Sequence, residues 1–443
     1  MPLMGTAIRI GSGAGFSEDR IDPAVDLAER GRLDFLVFEC LAERTIALAV
    51  GARQADQAGG YDPLLEERLR AVLPACYLNG TRIVSNMGAA NPQGAARRAA
   101  EVARDLGLVG LKIAAVVGDD VRDRIDELEP FGQEPPPTED VVSANAYLGH
   151  EAIAQALDEG AHIVLTGRVA DPSLFLGPMV HAFGWRADDW DRLGRGTAVG
   201  HLLECAGQLT GGYFADPGFK DVADLARLGF PIAEVRDDGS AVLGKLENTG
   251  GCVSVATCTE QLLYELHDPQ AYLTPDVTAD FSTIVFTDLG EDQVALSGGG
   301  GGPRPRKLKV SVGVDDGWLG EGQISYAGPG CVERAHLALS IVDERLALCG
   351  LEPLDARFDL IGIDAVARGA AAVAAPSEVR ARAACRMRTE AEARRIGREV
   401  AALYTNGPSG GGGVSTAVRP VIGIVSGLID RTRVSQALHW EIS

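Results

Sequence analysis

The sequence has no long apolar run, no paired-cysteine motif and few histidines, and each absence excludes a class of protein. No stretch of about 18 or more uncharged apolar residues occurs in the 443 residues, so we expect no membrane partner. The eight cysteines are scattered without a CxxC pair, and residues 1–10 lack the regions of a secretory signal. Both features are typical of a cytoplasmic protein with reduced thiols. Seven histidines without HxxxH or HxH spacing argue against a zinc site, but the count is compatible with an oxygen-ligated divalent cation.

Basic residues are also scarce. The chain carries 41 of them against 62 acidic residues, which gives a net charge of −21. Binding to nucleic acid requires clustered lysine and arginine, so we expect no nucleic-acid partner. A small anionic substrate needs only a few local donors and remains compatible with this charge.

The first 170 residues alternate between short apolar runs and amphipathic segments, which predicts buried parallel strands joined by helices. The predicted strands are 7–10, 34–38, 82–85, 111–116 and 162–165. The predicted helices are about 20–30, 40–57, 64–75, 92–106 and 143–159. The fold class is therefore α/β, with a largely parallel sheet flanked by helices.

This rhythm changes near residue 275, where a hairpin and several strands precede helices at about 331–348 and 389–404. We predict two domains. Residues 1–280 form the α/β domain, which carries the glycine-rich loops and the active site, and residues 281–443 form a smaller α+β domain.

A glycine-rich segment, Gly11–Gly15, follows the first predicted strand, where open sheets usually bind ligands. Its spacing departs from GxGxxG, and the next strand lacks the usual ribose-binding acid, so a dinucleotide site is not expected. Two interpretations remain open. Gly13 and Gly15 could help to form a cradle for a phosphate or carboxylate, or the segment could be a tight turn.

Two carboxylates, Glu39 and Glu43, follow the second strand four residues apart and so share one helix face. Such a pair can raise the pKa of one member and act in acid–base catalysis, or it can hold a divalent cation. Alternatively, both carboxylates stabilise the helix N-terminus and pair with Arg44.

Polar side chains follow the next three strands. They are Asn86, Asn91, Asp119, Arg168 and Asp171. Each alone is typical of an ordinary loop, but together they are predicted to lie at one edge of the sheet. Arg168 is the natural partner for a substrate carboxylate or phosphate, because its guanidinium binds such groups in a bidentate manner.

Further along, His201 and Glu204 lie three residues apart, with Cys205 one helical turn from His201. A His–Cys couple would be nucleophilic, a His–Glu pair would suit acid–base chemistry, and a histidine in a helix can also be structural. Gly250 and Gly251 form a second glycine-containing loop beside another thiol, Cys252.

The one strongly basic patch follows Gly298–Gly302 and consists of Arg304, Arg306, Lys307 and Lys309. It is suited to a nucleotide-like phosphate such as that of coenzyme A, or it is a hairpin tip with solvated charges. No GxSxG, Walker A, HExxH or EF-hand motif identifies a reaction.

Taken together, these segments resemble the acyclic terpene utilisation (AtuA) family. The stretches that carry the resemblance run in order from residue 8 to about 414: IRIGSGAGFSEDRIDPA, DFLVFECLAERTIA, IVSNMGAANP, VVGDD, LTGRVADPSLFLGP, GHLLECAGQLTGGYF, NTGGCVS, EQLLYELHDPQAYLTPDV and NGPSGGGGV. The resemblance implies a role in the breakdown of citronellol and geraniol as CoA thioesters. It also implies a small accessory protein as a partner.

The first hypothesis is a lyase, either a hydro-lyase or an aldol-type C–C lyase. Its substrate would be a hydroxylated or unsaturated carboxylic acid or its CoA thioester. Glu39 or Glu43 would be the acid or base, Arg168 would bind a carboxylate, and Gly11–Gly15 would hold an anion. The alternatives are a thiol-dependent hydrolase or acyl transferase that uses Cys205 or Cys252, and a non-catalytic subunit that needs a small partner. We also expect a homo-oligomer.

Overall fold

The computed structural model describes residues 7–132, 138–367 and 376–443. The chain divides into two compact units. One comprises the chain up to Gly313 together with Ile424–Ser443, and the other is Val314–Gly423. The domain division near residue 280 stays a prediction. None of the helices in the described ranges combines the length and apolar character that crossing a bilayer requires.

The strands and the helices are each numbered in chain order. The strands are β1 (Ile8–Ala14), β2 (Phe35–Phe38), β3 (Arg82–Ser85), β4 (Lys112–Val117), β5 (Glu129–Pro130), β6 (Val141–Ala146), β7 (Ile163–Thr166), β8 (Pro231–Val235), β9 (Ala241–Lys245), β10 (Tyr272–Leu273), β11 (Thr278–Asp280), β12 (Val285–Gly290), β13 (Gln293–Ser297), β14 (Gly300–Gly302), β15 (Lys307–Ala327), β16 (Asp355–Ile361), β17 (Glu378–Met387), β18 (Gly412–Asp430) and β19 (Ala437–Ile442). The helices are α1 (Asp22–Arg30), α2 (Glu43–Ala55), α3 (Leu65–Asn79), α4 (Pro92–Asp105), α5 (Glu151–Asp158), α6 (Ser173–Phe183), α7 (Trp190–Leu203), α8 (Val255–Leu263), α9 (Cys331–Leu348) and α10 (Glu390–Asn406).

The large sheet of the first unit is mixed, and its strand order is β12-β13-β9-β8-β1-β2-β3-β7-β4-β19. The five predicted strands are its parallel centre, β1, β2, β3, β7 and β4. The expectation of a largely parallel sheet is nevertheless wrong. Four neighbouring pairs are parallel, whereas five are antiparallel. The physical reason is that hairpin strands extend the sheet from β1, and the distant β19 pairs with β4 through long-range backbone hydrogen bonds that no local pattern encodes.

Helices cover the parallel centre of the sheet on both faces, as the side chains of β2 illustrate. Phe35 and Val37 pack into one core with residues of α5, α6 and α7. Leu36 and Phe38 pack into the other core with residues of α1, α3 and α4. Burial of both faces explains why β2 is a continuous apolar run, and each buried side chain of this size stabilises the fold by about 1.5–3 kcal/mol.

Strand β1 is longer than the sequence indicates, because it continues from Ile10 through Ala14. Ser12 pairs with Val37 and Ala14 with Phe38, with an irregular step between them. A Cβ on Gly13 would lie 2.5 Å from the ring of Phe38, so the missing side chain allows the strand to pack there. The predicted turn at this position is therefore mostly strand.

Two further local predictions need correction. The helix predicted over 143–159 is strand β6 followed by the shorter α5. The segment Gly298–Gly302 is not a free hairpin tip, because β14 pairs with β11. A Cβ on Gly194 of α7 would lie 1.9 Å from the carbonyl oxygen of Gly300, so the two backbones are in close contact.

In the second unit, β16 and β17 pair antiparallel, and β17 pairs in the same way with β15 from Trp318 to Ala327. Helices α9 and α10 pack on these strands through buried residues that include Val342 and Val400. Both helices lie where the sequence predicts them.

Candidate functional site

A cleft of ≈ 520 Å³ lies in the first unit, beyond the carboxyl ends of β1, β2 and β7. This is the edge at which open sheets bind ligands. The residues singled out from the sequence that line the cleft are Gly15, Glu39, Glu43, Asp171, Glu204, Cys205, Lys307 and Lys309.

Glu39 follows β2 directly and its side chain is almost fully buried at the cleft wall. Its Oε1 accepts hydrogen bonds from the Leu41 N–H at 2.8 Å and from the Asn86 amide at 2.9 Å. Asn86 also accepts a hydrogen bond from the Cys40 N–H at 2.7 Å, which fixes its orientation. Burial raises the pKa of Glu39 above its ordinary value, and nearby Glu204 adds to the rise. Glu39 can therefore exchange a proton closer to neutral pH than an exposed carboxylate.

Glu204, at the end of α7, forms a buried pair with His201. His201 Nδ1 lies 2.9 Å from Glu204 Oε1, and Nε2 lies 3.2 Å from the Leu262 carbonyl oxygen. A carbonyl oxygen only accepts, so Nε2 carries a proton, and a second proton lies between Nδ1 and Oε1. Burial raises the pKa of Glu204. Burial alone would lower the pKa of His201, but the carboxyl group of Glu204 raises it.

The predicted His–Glu pair is therefore present, whereas a His–Cys couple does not form among the described residues. Both ring nitrogens of His201 are directed to other groups. Burial and the adjacent Glu204 raise the pKa of the Cys205 thiol. Cys252 does not line the cleft, and burial raises its pKa as well. Neither thiol is activated as a nucleophile.

Glu43 differs from Glu39 because it is held as a carboxylate. Its Oε1 accepts hydrogen bonds from the Tyr147 hydroxyl at 2.5 Å and from Lys309 Nζ at 3.1 Å. Burial opposes the charge, but these partners and the N–H groups at the start of α2 lower the pKa of Glu43 to about 2. Of the two predicted carboxylates, only Glu39 is suited to exchange a proton with a substrate.

Arg168 is fully buried beneath the cleft and ties two of the loops together. Its Nη1 donates to the Leu41 carbonyl oxygen and its Nη2 to Asp171. The guanidinium also lies 4.5 Å from the centre of the Tyr147 ring. Its Nε and Nη2 also donate to the Val169 carbonyl oxygen, so most of its donors are occupied. The geometry therefore supports a positioning role, and its role as a carboxylate clamp stays a prediction.

Asp119 does not line the main cleft. It borders a separate, more open cleft of ≈ 730 Å³. Its Oδ2 accepts hydrogen bonds from the Asn145 amide at 2.8 Å and from the Arg168 N–H at 3.0 Å. Burial outweighs these hydrogen bonds and raises the pKa of Asp119 to about 6. Asp119 therefore fixes the backbone from which the Arg168 side chain extends.

The raised pKa of Asp119 predicts a pH-dependent contribution to stability. Its pKa rises from 3.8 to about 6 on folding, so the stabilisation is complete below 3.8 and is lost as the pH rises through 6. Relative to Asp119→Asn, the wild type should gain about 1 kcal/mol of unfolding free energy between pH 7.5 and 5.5 in urea titrations. Asp123→Asn, at an exposed position four residues further along the chain, is the matched control for the loss of a carboxylate. A constant difference between the wild type and Asp119→Asn would contradict this assignment.

Three other predicted residues lie outside the main cleft and have structural partners. Asn91 caps α4 by accepting from the Gly94 N–H at 3.0 Å, and its amide donates to the Gly59 carbonyl at 2.8 Å. The N–H groups of Gly250 and Gly251 donate to backbone carbonyls at 2.7 and 2.8 Å. Their substrate-binding roles stay predictions that the geometry does not favour.

Gly15 reaches the cleft as a packing residue. Its N–H donates to Asp19 Oδ2 at 2.9 Å, so that donor is already in use. A Cβ on Gly15 would lie 2.6 Å from the carbonyl carbon of Cys205, so a side chain would displace the segment that carries Glu204. The anion cradle around Gly13 and Gly15 stays a prediction, and the contacts favour close packing of two backbones.

The basic patch contributes two lysines to the cleft, Lys307 and Lys309. Lys307 pairs with Glu129, and outside the cleft Arg304 pairs with Glu151 at 2.5 Å. Lys309 pairs with Glu43 at 3.1 Å. The two lysines are each about 40% exposed, so an anionic ligand could contact them in competition with their paired carboxylates.

The carboxylates of the cleft do not converge as a set of metal ligands. Among the described residues, the groups that lie within 4.8 Å of one another belong to His150, Glu151 and Asp276. Arg304 neutralises Glu151 in that cluster, which disfavours a cation. A divalent cation at Glu39 and Glu43 stays a prediction.

Sequence reasoning missed the tyrosines of the cleft. Tyr147 lies just after β6, in the segment predicted as helix, and its hydroxyl reaches Glu43 on α2. Tyr272 packs on His201 with 5.1 Å between ring centres. For Tyr272, the available signal was the segment ELHDPQAYLTPDV, which supports the family resemblance but does not indicate a contact with His201.

Two comparisons with known proteins complement this geometry. A comparison with curated proteins found no match. The family model described as "Acyclic terpene utilisation family protein AtuA" matches residues 8–440, nearly the whole chain, including every residue that lines the cleft. The resemblance inferred from the ordered segments is thereby confirmed. The chain belongs to the acyclic terpene utilisation family AtuA.

Proposed function

We propose that this protein is a lyase, either a hydro-lyase or an aldol-type C–C lyase. Its substrate is a hydroxylated or unsaturated carboxylic acid or the corresponding CoA thioester. The observation that carries the proposal is the presence of two carboxyl groups with raised pKa values, Glu39 and Glu204, at one cleft. Perturbed carboxyl groups of this kind are typical of acid–base sites.

In dehydration, one carboxylate removes the proton from the carbon next to the carbonyl. The electron pair of that C–H bond forms the C=C bond, and the C–O bond to the hydroxyl group breaks. The second carboxyl group protonates the departing oxygen, which leaves as water. We assign proton removal to Glu39 and proton donation to Glu204, because the Glu204–His201 pair retains a proton.

In aldol-type cleavage the base instead removes the proton of the substrate hydroxyl. The C–C bond breaks and its electron pair forms the enolate of the smaller fragment, which the acid then protonates at carbon. Both reactions need the same two groups, and proton transfer by such groups accelerates reactions by about 10²–10⁴-fold.

The remainder of the cleft suits an amphipathic acid. Leu41, Phe131 and Leu273 supply apolar walls, and Lys307 and Lys309 supply positive charge for a carboxylate, a thioester oxygen or a phosphate. The cavity volume falls within the range of roughly 300–1,000 Å³ that is usual for small-molecule sites. A family described as utilising acyclic terpenes fits a substrate with a hydrocarbon chain.

The direct test is incubation of the purified protein with hydroxyacyl-CoA thioesters and the corresponding free acids. Mass spectrometry should detect loss of water or release of a two-carbon fragment. Turnover that occurs only after addition of a small companion protein would support the accessory-subunit alternative. Hydrolysis of the thioester without either change in the carbon skeleton would contradict the lyase.

The thiol alternative predicts a different response to substitution. Because both thiols have raised pKa values, Cys205→Ala and Cys252→Ala should each keep kcat within about threefold of the wild type. Removal of a true nucleophile lowers kcat by several orders of magnitude. A loss of that size in either variant, with the unfolding free energy unchanged, would favour the thiol-dependent reaction.

A further inference from the structure

Another cleft, of ≈ 490 Å³, adjoins the main cleft of ≈ 520 Å³, which is called the first cleft from here on. The two share Gly15, Glu39, Leu41 and Ala42 as lining residues, so Glu39 borders both cavities. We call the ≈ 490 Å³ cavity the tail cleft. A ligand bound at Glu39 therefore has two directions in which to extend.

One wall of the tail cleft is a face of α2 formed by Thr45, Leu48, Ala49 and Ala52. Their spacing of three, four and seven residues places them on one side of the helix. Leu48 is 45% exposed and Phe16, across the cleft, is 54% exposed. Large apolar side chains exposed together in a concavity are typical of a ligand-binding surface.

The charges of the two clefts differ. No lysine or arginine lines the tail cleft among the described residues, whereas Lys307 and Lys309 line the first cleft. Besides Glu39, two carboxylates line the tail cleft: Glu18, which is exposed to solvent, and Asp62. Asp62 already pairs with Arg68 at 3.4 Å and accepts from Ser17 at 2.6 Å. Among the described residues, an anionic group therefore finds lysines only in the first cleft, although carboxylates line that cleft as well. The apolar face of α2 favours an apolar chain in the tail cleft.

We propose that the tail cleft binds the hydrocarbon chain of the acyl substrate, whose carboxyl or thioester end lies in the first cleft. This inference rests on the proposed function, because it assumes a substrate that reacts at Glu39. It makes the α2 face the determinant of chain length. Each buried methylene group contributes to binding, so a long chain should bind more tightly than a short one.

The test compares binding of decanoyl-CoA and butanoyl-CoA by calorimetry, with decanoic and butanoic acid in a parallel series. The wild type should bind the longer chain about tenfold or more tightly. Ala52→Trp fills the tail cleft at an exposed helix position and should reduce this ratio to less than about threefold. Ala55→Trp makes the same change on the same helix outside the cleft, so the ratio should remain.

Binding is measured without turnover, so failure of this inference and failure of the proposed function can be distinguished. A wild type that binds both chain lengths equally, or neither, overturns the inference. An unchanged ratio in Ala52→Trp overturns it as well. A retained chain-length preference that only Ala52→Trp removes, in a protein that does not convert any thioester, supports the tail cleft and contradicts the lyase. A chain-length preference that occurs with the CoA thioesters but not with the free acids also supports the tail cleft. It indicates that contacts of the CoA portion hold the chain in place.

Discussion

Glu39→Gln should lower kcat for the hydroxyacyl substrate by about 10²–10⁴-fold, because an amide cannot take up the substrate proton. Glutamine has nearly the same volume, and its carbonyl oxygen can accept the hydrogen bonds from the Leu41 N–H and the Asn86 amide. The unfolding free energy should therefore change by less than about 1 kcal/mol. Steady-state kinetics and urea titration of the same preparations measure both quantities.

Glu67→Gln provides the matched control, because Glu67 is exposed on α3 and lies outside the cleft. Its kcat and stability should equal those of the wild type. If Glu39→Gln folds normally and keeps wild-type kcat, then Glu39 does not transfer the proton. The acid–base assignment would then have to be abandoned.

Arg168→Met should lower the unfolding free energy by about 3 kcal/mol, because it leaves buried carbonyl oxygens and Asp171 without their donor. The Leu41 segment is one of these partners, so the same change should displace Glu39 and lower kcat. Arg168→Lys keeps the charge but cannot reproduce the planar fork, and we expect it to fall between Arg168→Met and the wild type.

Arg186→Met is the control for loss of an arginine at the surface. Arg186 pairs with Asp188 in solvent, so its replacement should leave the unfolding free energy close to that of the wild type. Equal stabilities of Arg168→Met and Arg186→Met would show that the buried guanidinium does not hold the loops together.

The centre of the sheet could be predicted because its strands are short β-branched runs buried on both faces. Ile83 and Val84 of β3, for example, point to opposite faces of the sheet and are both buried, so both positions are apolar. The antiparallel extensions could not be predicted in this way. The partner of β4, Ala437–Ile442, lies more than 300 residues away in the sequence, and its pairing depends on tertiary structure.

The site shows the same division between local and long-range information. The His201–Glu204 contact follows from helix spacing, and the location of Glu39 follows from its place at the end of a parallel strand. The difference between Glu39 and Glu43 does not follow from their sequence. It arises because Tyr147 and Lys309, far away in the chain, reach Glu43 alone.

The most direct test of the central claim is the fate of solvent deuterium during turnover in D₂O. An unsaturated thioester should gain deuterium at the carbon next to the carbonyl when water adds, and a cleaved two-carbon fragment should gain it at the same position. Glu39→Gln should form neither labelled product at a rate near that of the wild type. Hydration or cleavage that leaves all carbon-bound positions unlabelled would contradict proton transfer at carbon and, with it, the lyase.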